Sequence, residues 1–399
     1  MSAPEIRGLQ KSFTRDEYTS PEIFASELET IFSKHWCYVG RADKLSHIGD
    51  RMVCNVGSES ILIVRNRESQ LRAYFNVCQH RGSQLCDESG SGYGAAITCP
   101  YHSWSYSLEG KLVGAIHHEK ESFDRECISL QQVRVDEWQG GLFVCLNNDE
   151  VPLLKWLENM YSKPLDLDKF GMAGLKSVRT TVDEAQANWK VLVENYSECL
   201  HCSVVHPEFC DLVPVFATGR TVDKDRGDWG ANLADGVNSI SFKQNQGLTL
   251  IPGMDDKSLF GAYIYPNMLI DVSPDSVAVT TYIPRSPTHT TVITDYLFPA
   301  DMAADSSMDL NAVIDFNDLV NHQDIAVSER VQRGAASKCS TRAFCGNSSA
   351  SSPMATRVWK WTRRITIPIS GRGRGMRRPS SRNTCASRRM TRRRSSSMP

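Results

Sequence analysis

Nowhere in its 399 residues does the chain hold an unbroken apolar run of the roughly 18 residues that a membrane helix needs. A membrane-spanning helix is therefore not expected. The opening MSAPEIRGLQKSF also lacks the hydrophobic stretch of a secretory signal, so a cytoplasmic location is expected. Acidic residues are missing from one region altogether: Val331 to Pro399 holds 17 of the 45 lysines and arginines and no Asp or Glu. The 28 basic residues left over face all 46 acidic ones in the preceding body, a formal charge of −18 that argues against a nucleic-acid partner. Thirteen cysteines in a chain this long do not describe a disulfide scaffold, so thiols and metal ligands are the expected uses. With 41% hydrophobic residues, the chain can bury the cores of two or three domains.

Residues 19–36, TSPEIFASELETIFSKHW, read as an amphipathic helix with Ser20 as cap, Pro21 in the first position, and Ile23, Phe24, Leu28, Ile31 and Phe32 facing inward. From Arg51 to Asn147 the texture changes to short β-rich runs such as SILIVR (60–65), RAYFNV (72–77) and GLFVCL (141–146), which predicts a small antiparallel β domain. Helical spacing returns over 152–200, where Trp189, Leu192, Val193 and Tyr196 form a stripe on a helix predicted to run into His201. Residues 260–298 alternate as strands, with turns at Pro266, 273–275 and 285–287, and 306–333 read as helix.

Two loops each offer one thiol and one imidazole: Cys78-x-His80, then Cys99-x-x-His102. A Rieske [2Fe–2S] cluster needs that set, because two cysteines hold one iron while two neutral histidines replace thiolates on the other. Tetrahedral zinc is the alternative, but zinc fingers pair Cys with Cys and His with His, whereas both loops here are mixed. Arg81-Gly82 and Pro100-Tyr101 supply tight turns, and Cys86 between the loops reads as a buried thiol. Further on, ENYSECLHCSVVHPEF (194–209) places His201 and His206 five residues apart, with Pro207 breaking the helix so that the imidazoles converge from different directions. Two histidines and one carboxylate on one face of an iron leave positions open for dioxygen and substrate. Thiols beside such an iron would be oxidised, so Cys199 and Cys202 are read as pointing into helix packing.

CQHRG (78–82) and CPYHSW (99–104) resemble the two cluster loops of the large subunit of Rieske non-haem iron oxygenases, and 194–209 resembles the catalytic-iron motif of that family. NHQDIAVSERVQRG (321–334) resembles the helix that brings the third ligand, which by that match is Asp324; Asp315, Asp318 and Glu329 are the neighbouring alternatives. By the same resemblance Glu198 links the catalytic iron to a cluster histidine, His102, of a neighbouring subunit in a homotrimer. Glu within ECLHC is similar to the branch acting on quaternary ammonium compounds such as glycine betaine and carnitine.

The resemblance implies an α+β chain: a helical segment over 1–37, an antiparallel Rieske β domain over 38–155, and a helix-grip catalytic domain with an antiparallel sheet over 156–337. It implies a [2Fe–2S] cluster, a mononuclear Fe(II), and electrons originating in NAD(P)H and delivered by a flavin or ferredoxin-type reductase. The expected reaction uses dioxygen to N-demethylate a small quaternary ammonium compound with release of formaldehyde. Phe209, Phe216, Tyr263 and Tyr265 are available as aromatic faces for the cation. An aromatic-ring hydroxylating dioxygenase, for which an Arg or Lys anchor is expected, and a Rieske electron carrier without catalysis are the alternatives. The Arg- and Ser-rich segment 338–399 reads either as a disordered basic tail or as the product of a shifted reading frame.

Overall fold

The computed structural model describes residues 9–11, 13–87, 89–90, 94–116, 123–160, 165–219, 228–241, 249–337 and 344–346. Strand β1 (Leu9–Lys11) is followed by helices α1 (Arg15–Thr19) and α2 (Pro21–Glu27), and a single π-helical turn over Leu28–Phe32 continues α2. The Ser20 hydroxyl caps α2 by accepting from the Ile23 N–H at 3.2 Å, with Pro21 in the first turn. Phe24, Ile31 and Phe32 are buried as the spacing predicts, while Ile23 and Leu28 are half-buried. Glu27, an acid outside the inward-facing set, is buried as well.

The β domain contains β2 (Cys37–Arg41), β3 (Arg51–Val56), β4 (Glu59–Arg65), β5 (Leu71–Phe75), β6 (Ala96–Thr98), β7 (Ser105–Ser107), β8 (Leu112–Gly114), β9 (Gln132–Trp138) and β10 (Gly141–Cys145). Six of them make an antiparallel sheet in the order β2-β10-β9-β5-β4-β3, and β6-β7-β8 form a separate small sheet that carries the second cysteine-histidine loop. Helix α3 (Leu153–Met160) then leads to β11 (Lys176–Ala185). Strand β11 corrects the helical reading of 152–200. Its side chains alternate between exposed and half-buried at the sheet edge, so polar and apolar residues give no run that marks a strand.

Helices α4 (Trp189–Tyr196), α5 (Cys202–Val205) and α6 (Pro207–Leu212) precede β12 (Asp228–Asn232), β13 (Ser258–Ile264), β14 (Met268–Val272), β15 (Val277–Ser286) and β16 (His289–Phe298). These strands and β11 form one antiparallel sheet in the order β11-β16-β15-β14-β13-β12. After α7 (Ala300–Ala304), the 26-residue α8 (Leu310–Ala335) packs on α4 and β11. The α+β architecture with two antiparallel sheets matches the expectation. β17 (Phe344–Gly346) pairs antiparallel with β1, inside the segment read from sequence as a tail; the rest of that segment, and His117 and His118, lie outside the described residues.

One hydrophobic core runs through both sheets, joining Trp36, Tyr38 and Phe143 to Trp189, Tyr263 and Ile270. Two polar pins cross the same boundary. Asn267 accepts from the Tyr38 N–H at 3.0 Å and donates to the Tyr38 carbonyl at 2.9 Å. The buried Arg41 guanidinium donates to the carbonyls of Gln139, Met172 and Leu175. Gly140, at φ +71°, lies flat against it, and a Cβ there would come within 2.7 Å of Nη2. Among the described residues no helix is long and apolar enough to cross a membrane.

Candidate active site

The cluster loops are tied by short-range backbone bonds. Cys78 N–H donates to the Ser83 carbonyl and Gly82 N–H to that of Cys78; Cys99 N–H donates to Trp104 and Ser103 N–H to Cys99. Gly82 and Ser103 occupy the left-handed region at φ +72° and +56°, which closes each turn. Both sulfurs are buried while the two imidazoles are half-buried, their rings 4.8 Å apart. Trp104 stacks on His80 at 4.6 Å, and the exposed Tyr101 ring lies 3.7 Å from His102. Burial pushes the Cys78 thiol up, opposed by the Tyr106 hydroxyl 3.2 Å from its sulfur. Bound iron would hold the same sulfur as thiolate. Two buried thiols at the base and two imidazoles at the rim fit a Rieske cluster. Tyr106, which also accepts from the Gln79 N–H at 3.0 Å, carries no motif and is visible only in the fold.

The second donor set stands where α4 ends. The Ser197 hydroxyl bonds the Val193 carbonyl at 2.6 Å, so the helix stops at Tyr196 and does not reach His201 as the spacing predicted. Glu198 and His201 still meet across the resulting turn, with Glu198 Oε1 3.2 Å from His201 Nδ1. Pro207 opens α6 immediately after His206, and the two rings approach edge to face at 5.3 Å between centroids. Asp324 comes from α8. Its Oδ1 lies 3.1 Å from His201 Nε2 and 2.9 Å from His206 Nε2. Gln323 Oε1, at 2.7 Å, holds the remaining His206 nitrogen. Each imidazole thus has Nδ1 engaged by a neighbour and presents Nε2 to the same point, which is the orientation that a metal ligand needs. The carboxylate alternatives are occupied elsewhere: Asp315 and Asp318 pair with Arg179, and Glu329 accepts from the Gln186 N–H.

The electrostatics agree with this convergence. Burial disfavours a charged His201, yet the Asp324 and Glu198 carboxylates outweigh it and raise the group to about 9. Burial likewise opposes the charge on His206 and on Asp324, and the contacts between them win, raising the one and lowering the other. The donor set fits a 2-His-1-carboxylate iron site. Donor atoms of His201, Cys202 and His206 lie within 4.8 Å of one another. Cys202, however, is joined to Cys199 in a disulfide, which corrects the reading of both as separate thiols and leaves Asp324 as the anionic donor. The x-x spacing brings their Cα atoms to 5.1 Å, within reach of a bridge.

A cavity opens beside His201, His206 and Asp324. Phe209 and Phe216 line it, stacked at 5.0 Å, and Trp229 meets Phe216 edge to face at 5.3 Å. Tyr263 and Tyr265 do not line it: the Tyr263 hydroxyl is bonded to the Pro266 carbonyl in the core, and Tyr265 packs on His35. Their neighbours Ala262, Ile264 and Pro266 are buried as well, so burial alone cannot tell which sheet face bears the cavity. Trp229 and Asp271 line it without having been singled out in the sequence, and Tyr196, read there only as part of a helical stripe, lines it too. Among the described lining residues there is no Lys or Arg.

Residues 35–133 match the family model of the Rieske [2Fe-2S] domain, and 172–366 match that of the ring hydroxylating alpha subunit (catalytic domain). The second match runs beyond residue 337. The chain is 32% identical over 331 residues to the carnitine monooxygenase oxygenase subunit of Acinetobacter baumannii, covering 82% of this chain and 86% of the relative. It is 28% identical to the glycine betaine monooxygenase oxygenase subunit of Pseudomonas aeruginosa, covering 84% and 85%. In structure it is similar to the quaternary ammonium Rieske monooxygenase CntA in complex with L-carnitine, at 26% identity and a TM-score of 0.68, covering 90% of this chain and 96% of that one.

Proposed function

Because the chain belongs to the Rieske non-haem iron oxygenases, as an oxygenase subunit of the quaternary ammonium monooxygenase branch, we propose that it N-demethylates a small quaternary ammonium compound. In that reaction one N-methyl C–H becomes C–OH at the expense of dioxygen, two electrons and two protons, with the other oxygen leaving as water. The carbinol then breaks its C–N bond, releasing the demethylated amine and formaldehyde. When bound, the cluster supplies single electrons and the mononuclear iron activates dioxygen.

The chain's own residues have distinct tasks in this reading. Cys78, His80, Cys99 and His102 hold the cluster, and His201, His206 and Asp324 hold the iron. Glu198 and Gln323 orient the two imidazoles through their Nδ1 atoms. Phe209, Phe216 and Trp229 exclude water and offer π faces to a methylated ammonium. The observation that carries the substrate class is this cavity, aromatic on its walls and without a Lys or Arg among the described residues to anchor an aromatic acid.

A homotrimer supplies the electron path. Glu198 is partly exposed, Leu200 and Val204 just after it in the chain are 49% and 83% exposed, and Tyr101 beside His102 is 61% exposed. Covering these surfaces with a second copy would bring the cluster loops of one chain to the Glu198 turn of the next. The test is formaldehyde release with a ferredoxin-type reductase, NADH and a panel of glycine betaine, carnitine, choline and benzoate. Release from a quaternary ammonium compound is the expected outcome. Ring hydroxylation of benzoate with no formaldehyde from the others would move the chain to the aromatic class.

A further inference from the structure

Trp229, Gly261, Asp271 and Ala278 are cross-strand partners in one row running over β12, β13, β14 and β15. The row has a small residue on either side of the acid. At Gly261 the space a side chain would fill is taken by the indole of Trp229, whose ring atoms lie 2.1 to 2.4 Å from where a Cβ would stand. The indole therefore lies flat along the row toward Asp271 instead of standing off the sheet. From above, the Tyr196 hydroxyl donates to Asp271 at 2.7 Å and accepts from Trp229 Nε1 at 3.3 Å. Both side chains and the carboxylate line the cavity that holds the candidate iron ligands.

We infer that Asp271 is the counterion for the substrate's ammonium head, held by Tyr196 and set beside the Trp229 face so that charge and π surface act on the same cation. The inference rests on the quaternary ammonium reading above and assigns a specificity-determining residue to it. A carboxylate in an apolar cavity has a cost, since desolvation opposes its charge. Burial indeed pushes Asp271 up to about 7, against the Tyr196 hydrogen bond and with Asp324 adding to the rise. That cost has a use if a cation arrives to offset it. A quaternary head has no N–H to donate, so it takes an ion pair and aromatic faces rather than directed hydrogen bonds.

The experiment measures binding rather than turnover. Glycine betaine, carnitine and choline are titrated calorimetrically into the iron-loaded enzyme, each beside the isostere whose head, C(CH3)3 in place of N(CH3)3, carries no charge. Asp271→Asn keeps the shape and an acceptor for Tyr196, and cluster absorbance with iron content reports its folding. Wild type is expected to favour the cation over its isostere, and Asp271→Asn to lose about tenfold or more of that preference, as for a hydrogen-bonded charge, with isostere binding unchanged. Tyr196→Phe, which leaves the carboxylate, is expected to lose a smaller part of it. A preference that survives Asp271→Asn overturns the assignment of Asp271 while leaving the substrate class standing. A wild type with no preference for any of the three cations overturns the substrate class as well. Should Asp271→Asn fail to fold, Gly261→Val decides, because it displaces the indole from the same row: an unchanged preference again overturns the inference.

Discussion

The cluster loops and the mononuclear site differ in how far apart along the chain their donors lie. Cys78, His80, Cys99 and His102 sit on two turns whose aim is set within each turn, by bonds such as Cys78 N–H to Ser83 and Cys99 N–H to Trp104. His206 and Asp324 are 118 residues apart and meet because α4 and α5, which lead to His206, both pack against α8. The Gln332 side chain accepts from the Asn188 N–H at the start of α4 and donates to the Tyr18 carbonyl of α1. One site is thus a local motif whose aim is set by its own turns. The other depends on packing far from the donors, and perturbations should separate the two.

The largest separation is expected from His201→Ala. It removes one of three donors and is expected to abolish turnover and empty the mononuclear site, while the visible spectrum of the cluster persists. Iron analysis falling from about three to about two per chain is the check; loss of the cluster spectrum would show that the ligands are wrongly divided. Glu198→Ala leaves every donor in place. It is expected to keep about three irons yet lower kcat about 10- to 100-fold, the size of effect seen when a group orienting a metal-bound histidine is lost. Single-turnover oxidation of the reduced cluster, slowed in step with kcat, would distinguish an electron-transfer role from a binding one.

The same contrast explains what could be read from the sequence. Cys78-x-His80 and Cys99-x-x-His102 are legible because ligand spacing and turn residues coincide. His201 and His206 are legible through Pro207, which directly follows His206 and opens a new helix, α6. Asp324 is one of several acids on a helix, and nothing local sets it apart from Asp318. Only the fold sends Asp318 to Arg179, Thr181 and Tyr296 and Asp324 to the imidazoles. Strand β11 escaped because an edge strand of alternating polarity buries too little to show an apolar run. Asp271 escaped because a single acid in MLIDV reads as the exposed side of a strand.

Packing dependence can be tested away from either site. Lys190 and Glu27 are both buried, with Nζ 2.6 and 2.8 Å from the two carboxylate oxygens, and Trp189 Nε1 donates to Glu27 at 3.0 Å. Burial raises Glu27 and lowers Lys190, each partly offset by the other. Lys190→Met leaves the buried carboxylate without its cation and is expected to cost about 3 to 5 kcal/mol. On heating, mononuclear iron should be lost from this variant well before the cluster absorbance falls. Simultaneous loss of both would mean that the two sites share one cooperative unit. A milder effect is expected from pH. Asp271, raised to about 7 and faced by Tyr196 from α4, Tyr282 from β15 and Asp324 from α8, is mostly protonated below that value. Cation binding should then weaken as pH falls through about 7, by at most about tenfold per unit, and Asp271→Asn should flatten the profile.

The smallest change acts on the cluster alone. Tyr106 places its hydroxyl 3.2 Å from the Cys78 sulfur and is kept there by the Gln79 N–H, which it accepts. Its own ionisation is pushed up, by burial first and by the thiols of Cys78 and Cys99, so it remains a neutral donor. A donor to a ligand sulfur stabilises the reduced, more negative cluster more than the oxidised one. Tyr106→Phe removes a neutral hydrogen bond of about 1 kcal/mol and should lower the one-electron potential by about 40 mV. Redox titration of the purified protein measures that shift directly. Mononuclear iron content and cation binding should not change, because Tyr106 belongs to the β-domain core with Leu62 and Ile97 and has no part in the cavity wall. A potential that stays within error would mean that the hydroxyl serves the Gln79 N–H alone, and that the loop backbone rather than this side chain tunes the cluster.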